Sequence, residues 1–427
     1  MARTPSDLDR MPVVAAFLTR RGRVCLLRRS HQVGTYRGRW AGVSGYVERV
    51  PLEQAYVELA EEVGLQREDV RLCGVGVPVR VDDEAEGRYW LVYPFLFSLK
   101  HGREPQLDWE SIESRWVAPG EVASLDTVPG LPEVVARVWP PVRSPALWRA
   151  AEQIAADRLS GATHLALQAL RALGRFCQTR EGAASRVPAA QALASLRPSM
   201  GVLPHVMALG LRRSRTQPQA VARTLAAATD RVAALAARAL ADTRCVLTHS
   251  ASAACEAALL AWAKAHPRAE VIATESRPRL EGAALAGRLA ARGVQVKLIS
   301  DAQMATAVRE VEAVLVGADA IADDGLLVNK AGTRLVGLAA RDAGVPVYAA
   351  CQTHKIAPPG WPIALEHQDP ADVSSSAELR VRNVAFDATP LDWFTSVITE
   401  SGPLTHALLA ATRARLARSG LLPNKGR

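Results

Sequence analysis

The chain has 427 residues, too many for one ordinary hydrophobic core, so two or three domains are expected. Hydrophobic residues make up 49% and charged residues 22%, a soluble globular profile, and no apolar run approaches the ~20 residues that span a bilayer. The net charge of +9 suits nucleic acid, an anionic membrane or small phosphorylated ligands, but no Lys/Arg run or aromatic-interleaved basic stretch is present, so nucleic acid and membrane are not the expected partners.

From the N-terminus, "VVAAFL" and "VCLLRR" flank the turn "RRGR" and read as two strands. "AYVELAEEVGL", residues 55–65, reads as a helix carrying Glu58, Glu61 and Glu62 at i, i+3 and i+4, which puts three carboxylates on one face. Like charges that close call for a cation between them. "RYWLVYPFLFSL", residues 88–99, is a further strand, and "SRWVAPGEVASL" gives a strand and a helix start. Mixed strands with few helices predict an α+β domain over residues 1–140. "VWPPVRSPALW", residues 138–148, holds three prolines and no steady period, and reads as a linker. Residues 141–240 are rich in Ala and Leu at helical spacing and predict a helical subdomain.

Over residues 241–427 the texture alternates. "CVLTH", "EVIATES", "VQVKLIS", "AVLVGAD" and "VPVYAA" are short buried-strand runs, separated by helical stretches such as "LEGAALAGRLAARG". This predicts an α/β fold with a doubly wound parallel sheet, whose ligands bind at the carboxyl ends of the strands. Polar residues follow several of these runs. Ser250 ends the first, Arg277 the second and Asp319 the fourth, while Asn329, Lys330, Gly332 and Thr333 are read as opening a helix. A helix N-terminus beside a lysine attracts phosphate, and an arginine can fork two phosphate oxygens. The six cysteines form no C-x-x-C pair, so free thiols in a reducing cytoplasm are expected.

Two resemblances sharpen these readings. The stretch containing Gly45, Glu48, Glu58, Leu59, Glu61, Glu62, Gly64 and Leu65 resembles the Nudix box, with "GRVCLLRRS", "GRWAGVSGYVE" and "ESRWVAPGEV" as its surroundings. That resemblance implies a Nudix fold, a Mg²⁺ or Mn²⁺ ion on Glu58, Glu61 and Glu62, and hydrolysis of a nucleoside diphosphate joined to another group. In the family an arginine orients the first helix glutamate. Here Val57 stands in that place and cannot donate a charge-assisted hydrogen bond.

From about residue 150 the chain resembles the translation initiation factor 2B regulatory subunits, a family that includes ribose-1,5-bisphosphate and methylthioribose-1-phosphate isomerases. "SGATHLALQAL", "LRPSMGVLPHVMAL", "VGADAIADDGLLVNKAGTRL" and "RVRNVAFDATPLDWFTSVITESG" carry it, in family order. It implies a Rossmann-like sugar-phosphate module with Asp319 in catalysis, Ser250 where isomerases have cysteine, and Ser160, Gly161, Ala162, Arg197, Arg277, Asn329 and Lys330 binding substrate. A serine hydroxyl is a far poorer acid than a thiol. The two resemblances together imply a nucleotide-sugar hydrolase joined to a pentose-phosphate isomerase, in a homo-oligomer. The alternative they leave is a non-catalytic regulatory protein that binds nucleotides or sugar phosphates.

Overall fold

A computed structural model describes residues 9–83, 87–100, 102–158, 160–212, 218–376 and 378–422. The chain divides into two units, Met1–Ser160 with Gln168–Arg197, and Gly161–Leu167 with Pro198–Arg427.

The first unit is built on an eight-stranded sheet of β1 (Asp9–Arg20), β2 (Arg23–Arg29), β3 (Trp40–Ala41), β4 (Val43–Tyr46), β5 (Val70–Val75), β6 (Val79–Asp83), β7 (Arg88–Leu99) and β8 (Ser111–Val117). The two 12-residue strands β1 and β7 run parallel through the middle, in register from Asp9 opposite Arg88 to Thr19 opposite Ser98. Strand β4 returns antiparallel onto β1, and β2, β5 and β6 extend the sheet on either side.

Helix α1 (Pro51–Val63) lies between β4 and β5. Pro51 suits its first turn, and Gly64 ends it in the left-handed region at φ 64°, where other residues are strained. Leu52, Ala55, Tyr56, Leu59 and Val63 make a buried stripe at helical spacing. Full burial of a leucine such as Leu52 or Leu59 is worth roughly 1.5–3 kcal/mol, enough to fix the rotation of the helix. That rotation decides which glutamates face outward.

Helices α2 (Leu131–Val138), α3 (Pro145–Ala156), α4 (Ala162–Phe176), α5 (Arg180–Ala184) and α6 (Arg186–Ser195) follow. The proline-rich stretch read as a linker is docked on the first unit. Val142 N–H donates to Cys73 O at 2.9 Å, and Trp148, 4% exposed, donates its indole N–H to Val142 O at 2.7 Å.

The second unit adds α7 (Val202–Arg212) and α8 (Pro218–Ala239), then β9 (Cys245–His249), α9 (Ala253–Ala265), β10 (Glu270–Thr274), α10 (Glu281–Ala290), β11 (Gln295–Ile299), α11 (Met304–Ala307) and β12 (Ala313–Val316). After them come β13 (Ala320–Ile321), β14 (Leu326–Lys330), α12 (Thr333–Ala343), β15 (Val347–Ala350), β16 (Phe386–Pro390), β17 (Ser396–Thr399), β18 (Gly402–Pro403) and α13 (His406–Ala417). The main sheet has the order β11-β10-β9-β12-β15-β17-β18, parallel throughout except for β18. Its first six strands follow the doubly wound order 3-2-1-4-5-6, which reverses between β9 and β12. The five strand runs read over residues 241–427 are β9, β10, β11, β12 and β15 of this sheet, which β17 and β18 complete. Asn329 and Lys330 correct one reading. They end β14, in a separate antiparallel sheet β13-β14-β16, and Gly332 is the residue that caps the following helix. Among the described residues no helix is long and apolar enough to cross a membrane.

Candidate functional site

A cavity of about 600 Å³ opens beside α1 in the first unit. Its acidic lining residues are Glu48, Glu58, Glu61 and Glu110, with Arg29 and Arg49 as the cationic ones. Its apolar and aromatic lining includes Val81, Val92, Leu131, Tyr36, Tyr46, Trp90 and Trp109. Tyr36 and Trp90 meet edge-on at 6.3 Å, and Tyr46 lies tilted over Trp90 at 6.2 Å. Behind them Tyr36 O–H donates to the buried Asp83 at 2.6 Å and Trp90 N–H donates to Tyr36 O at 2.9 Å. These bonds fix the aromatic wall.

The three predicted glutamates part company on the helix. Glu58 and Glu61 line the cavity. Glu62 turns inward instead, 6% exposed, and its Oε1 accepts the Ser44 N–H at 2.8 Å. Burial raises the Glu58 pKa, and Glu61, Glu110 and Glu48 raise it further, against a hydrogen bond from Gln54. Glu110 is raised by burial and by Asp108 and Glu61, with Arg29 pulling the other way. Glu62 is pushed well above the usual carboxylate range, chiefly by burial.

Four acids against two arginines leave negative charge uncompensated in a partly desolvated site, which is where a divalent cation fits. Among the described residues no three His, Cys, Asp or Glu side chains are gathered as a finished metal cage. Mg²⁺ is commonly held by one or two carboxylates and keeps its remaining positions for water and phosphate oxygens, so Glu58 and Glu61 suffice in kind. Glu110, Arg29 and Gln54 escaped the sequence reading because their place here depends on strand pairing and on the turn of α1.

The second unit presents its polar residues where the strand order reverses. Ser250 and Ser252 follow β9, and Gly317 and Asp319 follow β12. The two loops touch so closely that a Cβ on Gly317 would stand 2.8 Å from Ser252 Cβ. Ser250 has φ 67° and Ser276, after β10, φ 60°, backbone conformations that non-glycine residues adopt only when their surroundings impose them. What imposes them is a polar lattice. Ser250 N–H donates to Ser276 Oγ at 2.9 Å, and Asp301 accepts the N–H groups of Ser276 and Arg277 at 2.8 and 2.7 Å. His249 is 2% exposed, pairs its ring with Thr274 Oγ1 at 2.7 Å and Ala331 O at 2.9 Å, and has its pKa lowered by burial.

Of the predicted phosphate ligands, Arg277 keeps its side chain 68% exposed, with Glu275 3.8 Å away. Lys330 is 7% exposed and its Nζ lies 2.6 Å from Glu281. Asn329 donates to Thr333 Oγ1 at 2.9 Å. The helix start expected to take phosphate already holds an anion, because Asp387 Oδ2 accepts the N–H groups of Gly332 and Arg334 at 2.8 and 3.0 Å. Ser160, Gly161 and Ala162 lead into α4. Ser160 N–H donates to Asp157 Oδ1 at 2.8 Å, and the buried Arg197 donates to Asp157 O at 2.8 Å.

The model of the Initiation factor 2 subunit family matches residues 158–406, more than half of the chain. The chain belongs to that family. A NUDIX domain model matches residues 9–138. Within the Initiation factor 2 subunit family, a ribose 1,5-bisphosphate isomerase of Haloferax volcanii is 32% identical over 293 residues, covering 62% of this chain and 89% of that protein. A ribose 1,5-bisphosphate isomerase of Archaeoglobus fulgidus is 40% identical over 188 residues, 41% of this chain and 59% of its own length. The crystal structure of a Pyrococcus horikoshii translation initiation factor eIF-2B overlays with a TM-score of 0.53 at 29% identity, covering 60% of this chain and 96% of that one. The family module and the doubly wound sheet therefore occupy the same stretch, and the NUDIX match encloses the acidic cavity.

Proposed function

We propose that the first unit hydrolyses nucleoside diphosphates joined to a second group. The observation that carries the reading is the mixed lining of its cavity, where four carboxylates share one space with aromatic and apolar side chains. Aromatic and apolar lining suits a nucleobase, and acidic lining suits a diphosphate only if a divalent cation comes with it. When bound, Mg²⁺ or Mn²⁺ would neutralise the diphosphate and lower the pKa of a water. Glu58 and Glu61 would hold the ion, Arg29 and Arg49 contact the phosphate oxygens, and Glu110 accepts the proton of the attacking water. The P–O–P bridge breaks, giving a nucleoside monophosphate and, from a substrate such as ADP-ribose, ribose 5-phosphate.

For the second unit we infer a phosphorylated pentose as ligand, held between the Ser250 and Asp319 loops with Arg277 on a phosphate, and interconversion of aldose and ketose as its reaction. The relatives named ribose 1,5-bisphosphate isomerase support this. Ser250 in the place of a cysteine, and Lys330 neutralised by Glu281, favour a second reading in which this unit binds sugar phosphate without turnover. Six free cysteines suit a reducing compartment, and we read the protein as a cytoplasmic homo-oligomer.

The test uses the full chain with Mg²⁺ against a panel of nucleoside diphosphate sugars and, separately, pentose 1-phosphates including ribose 1,5-bisphosphate. Monophosphate release should fall more than about 100-fold in Glu61→Gln, beyond the range for outer-shell residues, and ketose formation should vanish in Asp319→Asn. No release from any member of the panel overturns the hydrolase reading. Thermal stabilisation by a pentose phosphate without ketose product selects the binding reading for the second unit.

A further inference from the structure

We infer that Gln54 is the residue that positions Glu58, taking over the task left open by Val57. Gln54 lies one helical turn before Glu58 and is 5% exposed, so its amide has one orientation to choose and few partners to choose from. Its Oε1 accepts the backbone N–H of Glu48 at 3.2 Å. That bond assigns the amide, because only a carbonyl oxygen can accept it. The NH₂ group then faces the other way and donates to Glu58 Oε1 at 2.7 Å. One side chain thereby ties the loop carrying Glu48 to the carboxylate of Glu58.

A second feature shapes the place of that carboxylate. Gly45 has no side chain, and a Cβ placed there would fall 1.8 Å from Glu58 Oε1. Glu58 therefore packs against bare backbone at Gly45 while the same oxygen takes the Gln54 amide. Val57 lines the same cavity and offers no donor. A neutral amide differs from an arginine here in a useful way. It fixes the carboxylate without adding positive charge, and leaves the negative potential of the four lining acids undiminished by a further cation.

This inference rests on the first unit being metal-dependent, and its test separates the two claims. Mn²⁺ binding to the full chain is measured by electron paramagnetic resonance, alongside kcat and KM for whichever nucleotide the wild type cleaves. Gln54→Met keeps the volume and helix preference but removes both hydrogen bonds. It should weaken Mn²⁺ binding about 10-fold or more, the range of outer-shell changes, and lower kcat with KM changed less than about twofold. Adding Val57→Arg to Gln54→Met supplies a donor next to Glu58 and should recover most of both losses, which a packing role for Gln54 would not. If Gln54→Met fails to fold, Gln54→Glu keeps the acceptor for Glu48 N–H, replaces only the donor, and should show the same fall in kcat.

Wild-type Mn²⁺ affinity and kcat in a folded Gln54 variant overturn the positioning role and leave the hydrolase reading intact. A wild type that binds Mn²⁺ but cleaves nothing overturns the hydrolase reading, and the affinity of Gln54→Met still decides the inference. A wild type that binds no Mn²⁺ overturns both.

Discussion

The two units treat buried charge in opposite ways. Around α1, carboxylates face one another with too few cations among them, and Glu58, Glu62 and Glu110 are all shifted upward in pKa. At the strand ends of the second unit nearly every charge has a partner inside the chain: Lys330 with Glu281, Asp301 on two amides, Asp387 on two more. The first arrangement leaves like charges facing one another, and the proposed cation would relieve them. The second is a closed frame whose exposed cation, Arg277, stands beside the loops at the point where the strand order reverses. Desolvated like charges store a demand for a cation, whereas paired charges store rigidity.

The largest expected effects come from making the same substitution in both frames. Gly45→Ala places a methyl group where the Glu58 carboxylate lies. The obstacle is the far end of a side chain, so Glu58 moves, the fold survives, and metal-dependent hydrolysis should drop by about 10- to 100-fold, as for other losses of ligand orientation. Gly332→Ala meets His249 Nε2 at 2.6 Å and requires a non-glycine residue at φ 112°. His249 is pinned by Thr274 and Ala331 and cannot withdraw, so this change should cost stability, on the order of 2–3 kcal/mol, in the transition assigned to the second unit. Urea melts followed beside activity assays check the pair. A Gly45→Ala protein with full activity would remove the distinction.

How much of this was legible in the sequence follows the same division. The β9, β10, β12 and β15 strands were readable because each is a short, largely apolar run, as strands covered on both faces must be, whereas β11, read as a buried run, is the edge strand and is largely exposed. Asp319 and Ser250 were placed at strand ends by that pattern alone. The glutamates of α1 were visible as a group, but helical spacing does not say which of them faces the core, and Glu62 does. Gln54, Glu110, Asp301 and Asp387 carried no signal. Each matters through a partner brought close by the fold, and Asp387 sits 55 residues beyond the Gly332 amide that it caps.

Acid should move the two units in opposite directions. In the second, His205 is fully buried and its pKa is lowered to about 4, with His249 and His354 lowered as well, all by burial. A histidine with a depressed pKa contributes stability above about 6.5 that is lost as pH falls toward 4, and for His205 alone the loss by pH 5 is on the order of 2 kcal/mol. In the first unit, with divalent metal removed by a chelator, the raised pKa values of Glu58 and Glu62 mean that the folded state takes up protons more readily than the unfolded chain. Its stability should rise as pH falls from 7 toward 5. Calorimetry in a chelator at pH 7 and pH 5 should therefore show one transition moving up and the other down, since two units need not melt together. Adding Mg²⁺ at pH 7 should raise only the first. Parallel shifts would mean that the acids around α1 are not uncompensated.

The smallest effect tests the closed frame at an imperfect joint. Asp387 has Oδ2 on two amides, but its Oδ1 is buried without a partner, and burial lifts its pKa to about 6. A carboxyl raised in this way contributes stability that is fully present below its ordinary value near 3.8 and lost as pH rises through 6. Asp387→Asn keeps an oxygen for the Gly332 and Arg334 amides and carries no charge at any pH. Its new NH₂ group takes the unpartnered position and gives back part of the benefit. The second unit should therefore gain about 1 kcal/mol at pH 8 and nothing at pH 4, read from urea melts at the two pH values. An equal gain at both would show that the charge was never the cost. A loss at pH 8 would show that the carboxylate is needed at the start of α12 as an anion, a role that a bound phosphate could then share only by displacing it.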